Sequence, residues 1–167
     1  MKKKIVITGG LGYIGTELCK LYSGVSWHHK IIVIDNRFIS ERVNQIRNWN
    51  IEFIQGDILD KNLIKGYCED ADVIHHLAGI TDVPRIKTET SKDKDNRIKE
   101  VAEKGTQNIL EVISNKCKII FPSTHVVFEG INEVKKDISE NESTNPVLSY
   151  SSSKAVNEDQ IKRSGKN

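Results

Sequence analysis

The chain has 167 residues, room for one domain with a real core and too little for two full ones. Its 25 basic and 23 acidic side chains nearly cancel, which excludes the electrostatic footprint of a nucleic-acid binder. No apolar run approaches the roughly 20 residues that span a bilayer, so no membrane partner is expected either.

The first expected element is a strand over residues 3–8, apolar from Ile5 and ending at Thr8, followed at once by Gly9, Gly10, Gly12 and Gly15. Gly10 to Gly15 fits G-x-G-x-x-G, and Gly9, Gly12 and Gly15 also give G-x-x-G-x-x-G. Either frame serves one purpose: residues without a Cβ let a pyrophosphate approach the amides that open the next helix, here residues 13–23. A second strand, 30–35, ends in Asp35, twenty residues beyond Gly15. A carboxylate at that tip accepts hydrogen bonds from the adenosine ribose hydroxyls and repels a 2′-phosphate, so NAD is expected rather than NADP. Arg37, two residues on, could instead pair with a phosphate, and Asp35 could be a plain turn residue.

Residues 38–49 read as a weak helix or an irregular crossover, then come a strand at 51–55 and a helix at 60–67. Between them Asp57 has two open readings, a ligand for the adenine amino group or part of a turn leading to a helix cap at Asp60. A fourth strand, 72–77, ends in His75 and His76. With no third ligand at suitable spacing they predict no metal, and His76 reads as a hydrogen-bonded structural residue. Ala78 and Gly79 are small enough to let a cofactor lie against the backbone. The polar segments 87–97 and 129–145 read as surface excursions, with a helix at 96–114 and a strand at 117–122 between them. In the last expected helix, 149–163, Tyr150 and Lys154 stand at i and i+4 on one face. A lysine ammonium there would favour the phenolate, and Thr124 could align a reacting hydroxyl with Tyr150. The three cysteines, Cys19, Cys68 and Cys117, are far apart and read as reduced, buried thiols of a cytoplasmic protein, with no signal peptide expected.

Taken together, these segments resemble the extended short-chain dehydrogenase/reductase family, particularly its NAD-dependent sugar-nucleotide epimerases and dehydratases. The residues that carry the likeness are Thr8 to Gly15, Asp35, Gly56-Asp57, His76-Leu77-Ala78-Gly79, Gly105-Thr106-Gln107-Asn108, Thr124 to Phe128, and Tyr150-Ser151-Ser152-Ser153-Lys154, in family order along nearly the whole chain. The resemblance implies a Rossmann-like, doubly wound parallel sheet with helices on both faces. It implies Thr124, Tyr150 and Lys154 as catalytic residues. Gly9, Gly12, Tyr13, Ile14, Gly15, Asp35, Asn36, Asp57, Ile58, Leu77, Ala78 and Gly79 would bind NAD, together with Tyr150 and Lys154. Tyr150 would take a proton from a sugar hydroxyl as hydride passes to NAD+, and return of hydride to the other face of the keto-sugar would give an epimer.

Three departures accompany the likeness. Dehydratases of the family carry an acidic pair after the active-site threonine, where this chain has His125 and Val126, so 4-epimerisation is expected over dehydration, with a decarboxylase or a simple reductase left open. An asparagine is usual three residues before Gly105, where this chain has Ala102. Family members are also much longer, with a sixth strand and a C-terminal part that grips the nucleotide-sugar. Residues 1–167 are accordingly expected to be an NAD-binding domain incomplete at its C-terminal end. The expected partner is a nucleotide-sugar, with a homo-oligomer, a complementing chain, or a non-catalytic NAD-binding or interaction role as open alternatives.

Overall fold

Five short runs rich in β-branched residues pair side by side, all parallel, in the order β3-β2-β1-β4-β5. The computed structural model describes residues 2–81, 91–131 and 136–166. The strands are β1 (Lys4–Thr8), β2 (Lys30–Asp35), β3 (Glu52–Gln55), β4 (Val73–His76) and β5 (Lys118–Ile120). Helices α1 (Tyr13–Ser23), α2 (Ser40–Asn48), α3 (Lys61–Cys68), α4 (Lys92–Val112) and α5 (Ser149–Ser164) alternate with or follow them, and a 3-10 turn covers His125–Phe128.

Alternation along the central strands divides the core into two layers. Ile5, Ile7, Ile31 and Val33 point to one face, where Cys19 of α1 and Val43 and Ile46 of α2 cover them. Val6, Ile32, Ile34 and Ile74 point to the other, against Ile64 of α3 and Val101 and Ile109 of α4. Because both faces are covered, the central strands read as unbroken apolar runs, and each fully buried Ile or Val contributes about 1.5–3 kcal/mol. The three cysteines are buried and free; burial pushes Cys19 and Cys68 up to about 12.

The doubly wound sheet is the one expected, with four differences in detail. Residues 40–48 form a regular helix, closed at Asn50, whose φ of 55° turns the chain into β3. Helix α4 begins at Lys92, so the part of the 87–97 excursion from there on is helical; Ser91 caps it through Lys94 N at 3.3 Å, and Asp93 and Asp95 favour its positive end. Residues 87–90 lie outside the described residues. In the 129–145 segment, of which 132–135 also lie outside, the ends close on each other: Gly130 N donates to Asn145 O at 2.9 Å and Asn145 N to Val127 O at 2.9 Å. Strand β5 is shorter than expected because its one partner, β4, is itself short and Pro122 has no N–H to donate. Strand order reverses between β1 and β4, which opens a crevice beyond the carboxyl ends of these two strands.

Candidate active site

The turn after β1 is shaped so that only glycine fits at its tightest points. Gly9 has φ of +70°, and a Cβ on it would lie 2.7 Å from the Ala78 backbone; a Cβ on Gly15 would lie 2.6 Å from Gly10 Cα and from Gly9 O. The loop is tied down by Gly9 N donating to Ile34 O at 2.8 Å and Gly12 N to Gly9 O at 3.0 Å. Gly12 caps α1 without a side-chain hydrogen bond, and no acidic residue stands in the first turn. The opening amides and the positive end of that helix therefore face a cleft with nothing of their own to neutralise them, which suits an anion.

The cleft measures about 790 Å³. Gly9, Gly12, Tyr13, Ile14 and Gly15 line one wall, and Leu77, Ala78 and Gly79 line the facing loop after β4. At one end stand Asp35, Asn36, Arg37, Arg42, Gly56, Ile58, Arg97 and Val101; Pro122, Ser123, Tyr150 and Lys154 also line it. Asp35 is buried, its Oδ2 accepting from Leu11 N at 3.0 Å and its Oδ1 from Arg37 N at 3.0 Å and Nε at 3.3 Å. Arg37 is thus held by a carboxylate, and the Arg42 guanidinium is spent on the Leu11 carbonyl. Asn36 donates to Asp57 Oδ2 at 3.2 Å; the other Asp57 oxygen accepts from Leu59 N at 3.0 Å. Asp60 also does what its sequence suggests, capping α3 through Asn62 N and Leu63 N.

Two of the expected catalytic groups reach the cleft and one does not. Tyr150 and Lys154 line it together. Thr124 is not among the lining residues; its hydroxyl caps the 3-10 turn, accepting from Val126 N at 3.3 Å, and Pro122 and Ser123 meet the cleft instead. The expected coupling of Lys154 to the phenol also differs. Burial pushes Tyr150 above the ordinary phenol value and Lys154 below the ordinary amine value. The Lys154 ammonium donates to Pro122 O at 2.9 Å and lies 4.3 Å from the Phe121 ring centre, against 6.0 Å from that of Tyr150.

His76 and His75 point to opposite faces of β4, as strand geometry demands, so they share no ligand. His76 is fully enclosed: Nδ1 is hydrogen-bonded with Thr8 Oγ1 at 2.9 Å and Nε2 with Thr106 Oγ1 at 2.9 Å, while Thr8 Oγ1 accepts from Ala78 N at 3.3 Å. Burial, with the Lys154 charge adding to it, pushes His76 down to about 3, so it is a neutral strut between β1, β4 and α4. Its ring packs against Phe121 at 5.8 Å. His75 is bonded to Tyr22 Oη at 2.7 Å on the other side. At Ala102, the backbone carbonyl is taken by Asn157 Nδ2 of α5 at 3.0 Å, which ties α4 to the helix carrying Tyr150.

Sequence reasoning passed over Arg42, Arg97 and Val101. Arg97 and Val101 were within reach of it, since i and i+4 on one helix share a face, but Arg97 fell at the end of the polar excursion 87–97 and Val101, in the expected helix 96–114, was given no part in the site. Among the described residues no helix is long and apolar enough to cross a membrane.

The sequence profile of the 3-beta hydroxysteroid dehydrogenase/isomerase family matches residues 6–167. Among curated proteins the chain is similar to the UDP-N-acetyl-alpha-D-glucosaminuronate decarboxylase of Bacillus cytotoxicus, 35% identical over 130 residues that make up 77% of this chain and 38% of the relative. It is 31% identical to the dTDP-D-glucose 4,6-dehydratase of Dictyostelium discoideum over 92% of this chain and 38% of that protein. Among solved structures, a mutant of the UDP-glucuronic acid 4-epimerase of Bacillus cereus, in complex with UDP-4-deoxy-4-fluoro-glucuronic acid and NAD, superposes with a TM-score of 0.79 at 27% identity, covering 98% of this chain and 52% of that one. The chain spans about half the length of these relatives, or less. With the profile matched from β1 to the end of α5, the chain belongs to the 3-beta hydroxysteroid dehydrogenase/isomerase family, within the extended short-chain dehydrogenases/reductases.

Proposed function

We propose that this chain is the NAD-binding part of a nucleotide-sugar 4-epimerase of the UDP-glucose 4-epimerase kind. The observation that carries the reading is the pairing of a Cβ-free loop at the mouth of α1 with a buried carboxylate, Asp35, at the tip of β2. Those residues fit a dinucleotide: the loop and the α1 amides suit its diphosphate, and Asp35 suits an unphosphorylated adenosine ribose. Bound NAD+ would supply the hydride acceptor and then the hydride donor. Tyr150 would hold and move the proton at its phenol oxygen, and Lys154, held near Pro122, would orient the nicotinamide ribose. The relatives named above span decarboxylation, dehydration and epimerisation. His125 and Val126, in place of an acidic pair, favour the last.

A second reading, NAD binding without turnover, is favoured by Thr124, whose hydroxyl is engaged in capping rather than exposed to the cleft. One experiment separates the two. The chain is incubated with NAD+ and a panel of UDP- and dTDP-sugars, and epimers are sought by NMR. The epimerase reading expects conversion that Tyr150→Phe lowers by about 10²–10⁴-fold while NAD affinity, measured by calorimetry, stays nearly the same. NAD binding with no conversion of any sugar supports the second reading; conversion unaltered in the variant removes Tyr150 from the mechanism.

A further inference from the structure

Helix α4 enters the cleft with an arginine that the sequence pattern treats as surface. Arg97 and Val101, one turn apart, both line the cavity beside Gly56, Ile58 and Asp35, the end expected to take adenosine. The Arg97 guanidinium is about half exposed, at 48%, and is steered from two sides: NH1 donates to Glu100 Oε2 at 2.8 Å, and NH2 lies 3.8 Å from Asp57 Oδ2. Asp57 is itself fixed by Asn36 Nδ2 and Leu59 N. A carboxylate offers about four lone-pair sites, so Asp57, accepting these two hydrogen bonds, retains room for a further donor.

Resting on the NAD reading of the cleft, we propose that Arg97 is an adenine-binding residue whose planar guanidinium covers the ring while Asp57 takes the exocyclic amino group. A guanidinium is weakly hydrated and stacks on aromatic faces, and two carboxylates limit how far this one can swing. The apolar side chains of Ile58 and Val101 line the same end of the cavity and offer the ring a dry surface. Among the described residues, Arg37 and Arg42, the other guanidiniums lining the cleft, are occupied by Asp35 and the Leu11 carbonyl, which leaves this task to Arg97.

The test is calorimetric titration of the folded chain with NAD and, separately, with ADP, for the unaltered protein and for Arg97→Ala, Arg97→Gln and Arg97→Lys. Expected is a loss of about three- to thirty-fold for Ala and Gln, of equal size for NAD and ADP, because both ligands carry the adenine. Lys, which keeps the charge and loses the plane, should recover only part of it. Melting curves without ligand identify any variant that fails to fold, and Gln then stands in for Ala. Unchanged NAD affinity in the Ala and Gln variants overturns the proposal, as does a loss confined to NAD with ADP unaffected, or full recovery by Lys. Failure of the unaltered chain to bind either ligand is a different result, since it removes the NAD reading and this proposal with it.

Discussion

His76 shows how one buried side chain can make the whole molecule sensitive to pH. In the unfolded chain its imidazole takes a proton near the ordinary value of 6.5, but in the fold burial holds that step down at about 3. Between those values the unfolded state binds the extra proton, so this contribution to stability is complete above about pH 6.5. It is lost as pH falls toward 3, at up to about 1.4 kcal/mol per pH unit. His75, also pushed down by burial, acts in the same direction. We expect urea unfolding at pH 7.5, 6.0 and 5.0 to show falling stability, with a clearly shallower fall for His76→Gln. Identical pH dependence in the two proteins would mean that folding does not hold back protonation of His76. The role of His76 as a hydrogen-bonded structural residue was legible in the sequence; its two threonine partners, from β1 and α4, were not.

At the level of the element, helix α5 depends on a residue outside it. Leu148 provides no side-chain cap, and Glu129, nineteen residues back, supplies one: its Oε1 accepts from Val147 N at 2.8 Å, Leu148 N at 2.7 Å and the Ser151 hydroxyl. Burial works to raise the Glu129 carboxyl, yet these hydrogen bonds together hold it below the usual range. Glu129→Ala is expected to cost about 1 kcal/mol and to speed amide hydrogen exchange across Ser149 to Lys154, the turn that presents Tyr150 and Lys154 to the cleft. Glu129→Gln, which keeps an acceptor, should lose less; exchange unaltered in the Ala variant would refute the cap. The helices themselves could be read from sequence because their apolar spacing is local. The start of α4 at Lys92 could not, since a highly charged stretch has little apolar rhythm and its stability comes from packing on α3 and α5.

For the molecule as a whole, ligand binding should appear as added stability. At a concentration one hundred times its dissociation constant NAD would contribute about 2.7 kcal/mol, raising the melting temperature by roughly 5–10 °C for a chain of this size. NADP at the same concentration should shift it far less, because the buried Asp35 carboxylate meets the 2′-phosphate and already holds Arg37. Equal shifts for the two ligands would show that Asp35 does not discriminate between them.

The sequence alone determined the parallel sheet, the loop at Gly9 to Gly15, the strand-tip Asp35 and the placing of Tyr150 and Lys154 on one helix face. Each of these is written locally: β-branched runs make buried strands, a backbone that must approach another backbone requires glycine, and residues four apart share a helix face. Only the tertiary structure decided that Thr124 caps a turn, that Lys154 rests on Phe121 and Pro122 O, and that Arg97 reaches the cleft. Those outcomes depend on which side chains distant in the chain compete for the same donor, carbonyl or ring, and that competition is settled when the layers pack.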